Sequence, residues 1–459
     1  MTGRRRTRTT LPVTRTFLTV LTRSARRTAN GSAGDSARSH RKGGVRSTAL
    51  SAGALAACAS LAVGCGVVPG TTGGSGDDTL TVMTWAPDKT SGTNKPGMPA
   101  MAQAYARWVN SQGGIDGREL RVLTCNDNDD TVGAAKCARR AVEEGAVAVV
   151  GSYSRHGRSF LSPLEAAGIP YIGGYGVTDD EFRSPVSYPV NGGQFALLAG
   201  LGEQLADICG TVVNVRPDSL VGDTMPALLD AGLRTEGHAA VTDQPVAEDA
   251  TSYTNDTRLA LERATADPVG TGCVVPSLAD RTNTFVDDLR RVREDYSEVN
   301  IGTVLGSIDQ SLIDSTGGSS SPYEGVYATG WYPEEKDERW DTMNDVISEH
   351  AFGDNRIDAA DPGVQTTWVA YTAFKEIVEK LGDGDITARA VRRALDDGLE
   401  VTTGGLTPTL RWRFEDLTAA GDFPRLVNAD VTFQVVREGR LVAARKGFVS
   451  VLRTLENAR

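Results

Sequence analysis

From residue 80 onward, short apolar runs alternate with stretches whose apolar positions recur at helical spacing. The runs 80–84, 120–124, 146–150 and 169–172 predict strands. Between them, 98–111 (Met101, Tyr105, Trp108), 131–144 and 160–167 predict helices, with Gly113-Gly114 and Gly168 as stops. Strands this uniformly apolar, separated by helices, predict a parallel sheet covered on both faces. The pattern restarts after Asn191, with helices over 195–208, 225–233, 256–264 and 284–295 and strands over 211–215, 239–241, 273–275 and 301–305. A Ser/Gly-rich loop at 315–322 precedes a strand at 326–329 and helices over 337–350, 364–381 and 386–395. β-type segments at 409–414, 430–436 and 441–443 close the chain. There is no repeat of roughly 20–50 residues, which argues against solenoids and propellers. The expectation is α/β: two lobes, each a mostly parallel sheet flanked by helices, with a ligand cleft between them.

Length and charge narrow this further. At roughly 100–200 residues per domain, 459 residues make two or three domains. Of 48 Lys+Arg and 59 Asp+Glu, residues 1–64 hold 12 and one (Asp35), so the remainder carries about −22. A body this acidic repels phosphate backbones, and nucleic acid is not an expected partner. The basic N-terminus, the small apolar run 48–64 and the small residues before a cysteine follow the order of a signal peptide. Leu61-Ala62-Val63-Gly64-Cys65 resembles a bacterial lipoprotein box, with Cys65 as the lipidated residue and Gly70 to Asp78 as its tether. Leu55-Ala56-Ala57-Cys58 is the competing box. Cys65 is preferred because the apolar run continues to Val63 and because cleavage there leaves an even number of cysteines. An uncleaved membrane anchor is the plainer alternative, and a start near Val45 would give a compact signal. The expected place is the extracytoplasmic face of the cell membrane, held by lipid.

In an exported, oxidising setting, Cys125, Cys137, Cys209 and Cys273 read as two local disulfides, Cys125–Cys137 and Cys209–Cys273, with four buried thiols as the alternative. No pair has C-x-x-C spacing. The three histidines beyond residue 64 (His156, His238, His350) form no H-E-x-x-H, and there is no G-x-S-x-G or P-loop, so neither enzyme nor cofactor is expected. Asp127-Asn128-Asp129-Asp130 reads as a strand-to-helix turn with a helix cap, and Thr178-Asp179-Asp180-Glu181 as a capping box. Two loops stand out positively, Gly151-Ser152-Tyr153-Ser154 and Gly173-Gly174-Tyr175-Gly176-Val177-Thr178. Each follows a strand's carboxyl end, where open α/β sheets bind ligands, and each offers hydroxyls beside helix N–H groups suited to a carboxylate.

A family resemblance rests on particular segments. Asn110-Ser111-Gln112-Gly113-Gly114-Ile115-Asp116-Gly117-Arg118-Glu119-Leu120 resembles a segment of the solute-binding proteins of branched-chain amino-acid-type ABC transporters. So do Cys125-Asn126-Asp127 with Ala134-Ala135-Lys136-Cys137-Ala138, Val149-Val150-Gly151-Ser152 and Ala166-Ala167-Gly168-Ile169-Pro170. The resemblance spans roughly residues 79–445. It implies a type I periplasmic-binding-protein fold: two lobes joined by three crossings, expected near 189–191, 323–329 and 408–412. Lobe 1 is then 79–189 plus 329–408, lobe 2 is 190–328 plus 409–445, and 446–459 is a C-terminal tail. The resemblance further implies a monomeric, non-catalytic receptor that captures a small polar solute and delivers it to an ABC permease. It implies that Ser152, Tyr153 and Ser154 hold the ligand carboxylate, that Thr178 and the Gly176 carbonyl assist, and that Trp85 covers the ligand. The second lobe departs from the amino-acid-binding pattern. Val221-Gly222 stands where a Tyr-Gly pair is expected, Asp309 is the nearest acid for a ligand ammonium, and Ser277 ends a strand toward the cleft. A sensor lobe of the same fold and an exported hydrolase are the rival readings.

Overall fold

The structure is a computed structural model describing residues 79–458, apart from 220, 268, 269, 297, 419 and 422. The expected signal segment, Cys58, Cys65 and the expected tether lie outside the described residues. The first sheet has five parallel strands in the order β2-β1-β3-β4-β5: β1 (Thr79–Trp85), β2 (Glu119–Cys125), β3 (Ala148–Val150), β4 (Tyr171–Ile172) and β5 (Ser187–Tyr188). Val82 and Met83, successive residues of β1, enter different core clusters. One cluster packs under α1 (Gly97–Ser111) and α10 (Pro362–Leu381). The other packs under α2 (Thr131–Glu143) and α3 (Gly157–Ala167). Burial on both faces is why these strands read as unbroken apolar runs. Local signals fix the helix ends: Asp130 accepts the Gly133 N–H at the start of α2, Asp361 accepts those of Gly363 and Val364 at α10, and Gly168 ends α3 at φ 70°.

The second sheet runs β12-β11-β10-β9-β8-β6-β7, with β13 (Val449–Ser450) also on β11. Its parallel part is β6 (Thr211–Pro217), β7 (Thr242–Val246), β8 (Gly272–Pro276), β9 (Val299–Val304) and β10 (Tyr327–Gly330). β11 (Asp430–Arg437) and β12 (Arg440–Ala443) add to it antiparallel. Helices α4 (Gly193–Ala206) and α5 (Met225–Leu233) cover one face, and α6 (Thr254–Ala264) and α7 (Thr282–Val292) the other.

Several expectations are corrected. The strand expected at 239–241 forms at Thr242–Val246, on the sheet edge where Pro245 is tolerated. The loop expected from Ser315 is preceded by α8 (Gln310–Ser315), whose N-cap Asp309 accepts the Leu312 N–H. Residues 409–414 give only a Val401–Leu410 bridge, because Arg411 and Arg413 both pair with Asp416 and turn the chain. The second crossing is not at 323–329. Thr329 pairs with Val304 and Phe433 inside the sheet, and the chain leaves only after Gly330. The last residues are no tail: β13 (Val449–Ser450) pairs with Asp430 and Val431, and α12 (Leu452–Asn457) packs on α4 and α5.

The hinge is hydrogen-bonded side to side. Asn191 Nδ2 donates to Tyr332 Oη (3.1 Å), Trp331 Nε1 to the Gly193 carbonyl (2.9 Å), Trp412 Nε1 to that of Pro189 (2.9 Å) and Asn428 Nδ2 to that of Val190 (2.9 Å). Both expected disulfides are present, Cys125–Cys137 and Cys209–Cys273. Alkylation of the denatured, unreduced protein should therefore label none of these four cysteines; labelling of all four would refute the pairing.

Candidate ligand-binding site

The carboxyl ends of both sheets face each other across a cleft of about 400 Å³. Thr93, Tyr153, Arg155 and Thr178 enter it from loops after β1, β3 and β4. From the second lobe come Ser219, Glu248, Ser277 and Ser307, in the loops after β6, β7, β8 and β9. Leu198, Val221, Met225 and Val304 make that wall largely apolar, and Gln194 lines the hinge side. Few convergent polar groups on an apolar wall is the usual make-up of a small-molecule site. From Tyr153 an aromatic series leads to the hinge: Tyr153–Tyr175 at 5.2 Å, Tyr175–Trp331 at 5.0 Å and Trp331–Tyr332 at 6.1 Å between ring centroids.

One cation ties the lobes directly, and a second lies beside the cleft. Arg155 Nε donates to Asp129 Oδ1 (2.9 Å) within the first lobe, and its Nη1 meets Glu248 Oε1 of the second lobe at 3.2 Å. Deeper in, a recess of about 30 Å³, the volume of roughly one water, is lined by Lys95, Tyr175 and Asp280. Lys95 pairs with Asp361 at 2.9 Å, the side chains being 10% and 22% exposed. Burial lowers the Lys95 pKa, but the charges of Asp361 and Asp280 and the Asp361 hydrogen bond outweigh it and hold the lysine protonated. Asp309 is pushed up to about 6, by burial first and then by the charges of Asp358 and Asp361, against the Leu312 N–H and Lys95.

The sequence profile of the periplasmic binding protein family matches residues 89–423. The chain belongs to that family. No curated protein matches it. A substrate-binding periplasmic protein from Ralstonia solanacearum superposes with a TM-score of 0.63 at 18% identity, covering 79% of this chain and 99% of that one. A branched-chain amino acid ABC transporter protein from Thermus thermophilus, with bound valine, gives 0.64 at 14%, covering 82% and 98%. An ABC transporter solute-binding protein from Rhodopseudomonas palustris, in complex with 3,4-dihydroxybenzoic acid, gives 0.64 at 13%, covering 82% and 98%. The two-lobed fold is thus shared with these binding proteins.

Within this periplasmic binding protein, the cleft brings together Tyr153, Thr178 and Ser277 from the sequence-derived set. The others lie elsewhere. Trp85 does not reach the cleft: it is fully buried, with its ring edge-on to Phe160 at 5.4 Å, because strand alternation turns it to the α2/α3 face. Ser152 Oγ accepts the Trp85 N–H (3.1 Å), and Ser154 Oγ bonds Asp127 and the His156 N–H. Asp309 is spent on capping α8.

The N–H groups expected to receive a ligand carboxylate are taken by the protein's own. Glu181, 2% exposed, accepts from the N–H groups of Gly176 (3.1 Å), Val177 (3.0 Å) and Thr178 (3.0 Å) and from the Thr178 hydroxyl (3.1 Å). Burial pushes Glu181 up to about 7, against those hydrogen bonds. Gly176 offers only its carbonyl, and that accepts the Gln194 N–H (2.9 Å). Thr178 therefore has two duties, helix cap and cleft wall. Thr178→Val should cost about 1 kcal/mol of stability as a lost cap and also weaken solute binding; a melting curve beside a calorimetric titration separates the two. Unchanged affinity would leave it a cap alone.

Arg155, Glu248, Lys95 and Gln194 were not anticipated. Arg155 adjoins the Ser152-Tyr153-Ser154 loop, which is a signal of sorts. Glu248 carries none, since its strand forms at Thr242–Val246 and not over 239–241.

Proposed function

We propose that this chain is the extracytoplasmic solute receptor of an ABC importer, capturing rather than converting a small amphipathic solute and handing it to a membrane permease. The observation that carries this reading is the cleft of about 400 Å³ built from the strand ends of both lobes, over a hinge of crossing segments whose hydrogen bonds permit rigid-body closure. That volume holds about 13 waters at roughly 30 Å³ each, enough for an amino-acid-like or aromatic carboxylate solute. The valine and 3,4-dihydroxybenzoic acid of the two structural neighbours are solutes of this kind. The solute's anionic end would meet Tyr153 and Arg155, replacing Glu248 on the Arg155 guanidinium, and its apolar body would lie against Leu198, Met225 and Val304.

A melting screen over amino acids and hydroxybenzoates tests the reading. A solute present at 100 times its Kd should add about 2.7 kcal/mol of apparent stability, and deletion of the gene should abolish its uptake. Binding with uptake unchanged would instead identify a sensor, and turnover of the solute an enzyme.

The receptor works as a monomer, anchored through Cys65 after loss of residues 1–64. Intact-mass analysis of the membrane fraction should find a diacylated N-terminal Cys65. A Cys65→Ala variant that stays lipidated would move the anchor to Cys58.

A further inference from the structure

Asn214 is fully buried in β6, and its Nδ2 has no hydrogen-bond partner among the described residues. Val213 and Val215 on either side of it join the core beneath α6 and α7. Strand alternation therefore turns Asn214 to the opposite face, that of α4 and α5, from which Leu198, Met225 and Val304 line the cleft. Ser277 stands beside it at the end of β8. Its N–H donates to the Val215 carbonyl (2.8 Å) and its hydroxyl to Asn214 Oδ1 (3.3 Å), and the residue lines the cleft at 8% exposure.

The pair leaves both Asn214 N–H groups and the lone pairs of the Ser277 oxygen without an assigned partner, and of the two residues only Ser277 lines the cleft. A half-turn of the amide exchanges the roles. Nδ2 then donates to Ser277, leaving Oδ1 as acceptor and the Ser277 hydroxyl as donor. Through the Asn214 amide, Ser277 thus offers the cleft an acceptor in one arrangement and a donor in the other, and a group that can both accept and donate meets either. An ammonium only donates and a carboxylate only accepts, and Leu198, Met225 and Val304 penalise an unpaired charge. We infer that the second-lobe wall reads a neutral hydroxyl or primary carboxamide on the solute, with Ser277 as the contact and Asn214 as the residue that positions it. This rests on the receptor reading of the cleft and deepens it by assigning the chemistry of the solute's far end.

Calorimetry on the full mature chain with isosteric pairs tests it: threonine against valine, glutamine against methionine, 4-hydroxybenzoate against benzoate. In any pair that binds, the hydroxyl or amide member should bind at least about tenfold tighter, because its analogue leaves the buried polar pair unmet. Asn214→Val and Ser277→Ala should each reduce that preference to about twofold or less. Asn214→Val should also raise the melting temperature of the solute-free protein by about 2 °C, since it removes an unpartnered amide from a strand interior. A preference for the apolar member, a preference intact in both variants, or a melting temperature that falls or stays put overturns the inference. If none of the solutes binds the unaltered protein, the receptor reading fails on this panel. The solute-free melting temperature then decides alone, a rise sustaining the polar-pair assignment and anything else overturning it.

Discussion

Replacing Lys95 with Met should destabilise the protein by about 3 kcal/mol near pH 8, the lower end for breaking a mostly buried ion pair by removal of one partner. Lys95 sits among Asp280, Asp309, Asp358 and Asp361, carboxylates drawn from both lobes, with Arg155 and Arg281 also acting on Asp280. Without it Asp361 keeps the N–H groups of Gly363 and Val364 but loses its ion-pair partner beside the other acids. The deficit should depend on pH. Asp309 already has its folded-state pKa raised to about 6 from an ordinary carboxylate value. A raised acid binds its proton more tightly in the folded state, so its contribution to stability is present below the unfolded pKa and lost as pH rises through about 6. Loss of Lys95 strengthens that trend. The Lys95→Met deficit, read by urea denaturation, should shrink as pH falls from 8 to 5. Lys95→Met/Asp361→Asn should recover most of it at pH 8. A deficit that is flat with pH and not rescued by Asp361→Asn would show that Lys95 acts through its ammonium over the Tyr175 ring instead.

What the sequence revealed follows from how local each feature is. The first lobe's alternation was legible because its strands are covered on both faces and its helices carry their own caps, as at Asp130 and Gly168. The disulfides were legible because parity and an exported setting leave few pairings. The Thr178–Glu181 capping box was legible too, but not its consequence. Which N–H groups Glu181 collects depends on the path of the loop, where Gly176 at φ 82° passes Gly193 so closely that a Cβ would come 2.7 Å from its Cα. The loop closes on Glu181, and the cradle expected for a ligand is filled from within. Trp85 failed for a different reason: a residue at a strand end points to one face or the other, and only the sheet's register tells which. The pair that spans the cleft, Arg155 with Glu248, joins residues far apart in sequence and leaves no local periodicity to read.

Removing the Cys209–Cys273 bridge should cost about 4 kcal/mol, more than the roughly 3 kcal/mol expected for Cys125–Cys137, if chain entropy governs. The bridges close loops of sequence separation 64 and 12. Cys209 follows α4, its N–H donating to the Leu205 carbonyl (2.9 Å), and enters β6, where Val212 is already in register with Cys273 on β8. Strand pairing therefore holds the two cysteines together in the native state with or without the bond. What the bond removes is freedom of the unfolded chain across β6, α5, β7 and α6. Cys209→Ala/Cys273→Ala should accordingly leave the folded structure unchanged and steepen the dependence of stability on urea, because a less restrained unfolded chain exposes more surface. The Cys125→Ala/Cys137→Ala variant should show the same steepening to a smaller degree. A smaller loss for the longer loop, with an unchanged urea dependence in both variants, would mean that the buried sulfurs contribute through packing in the core rather than by restraining the unfolded chain.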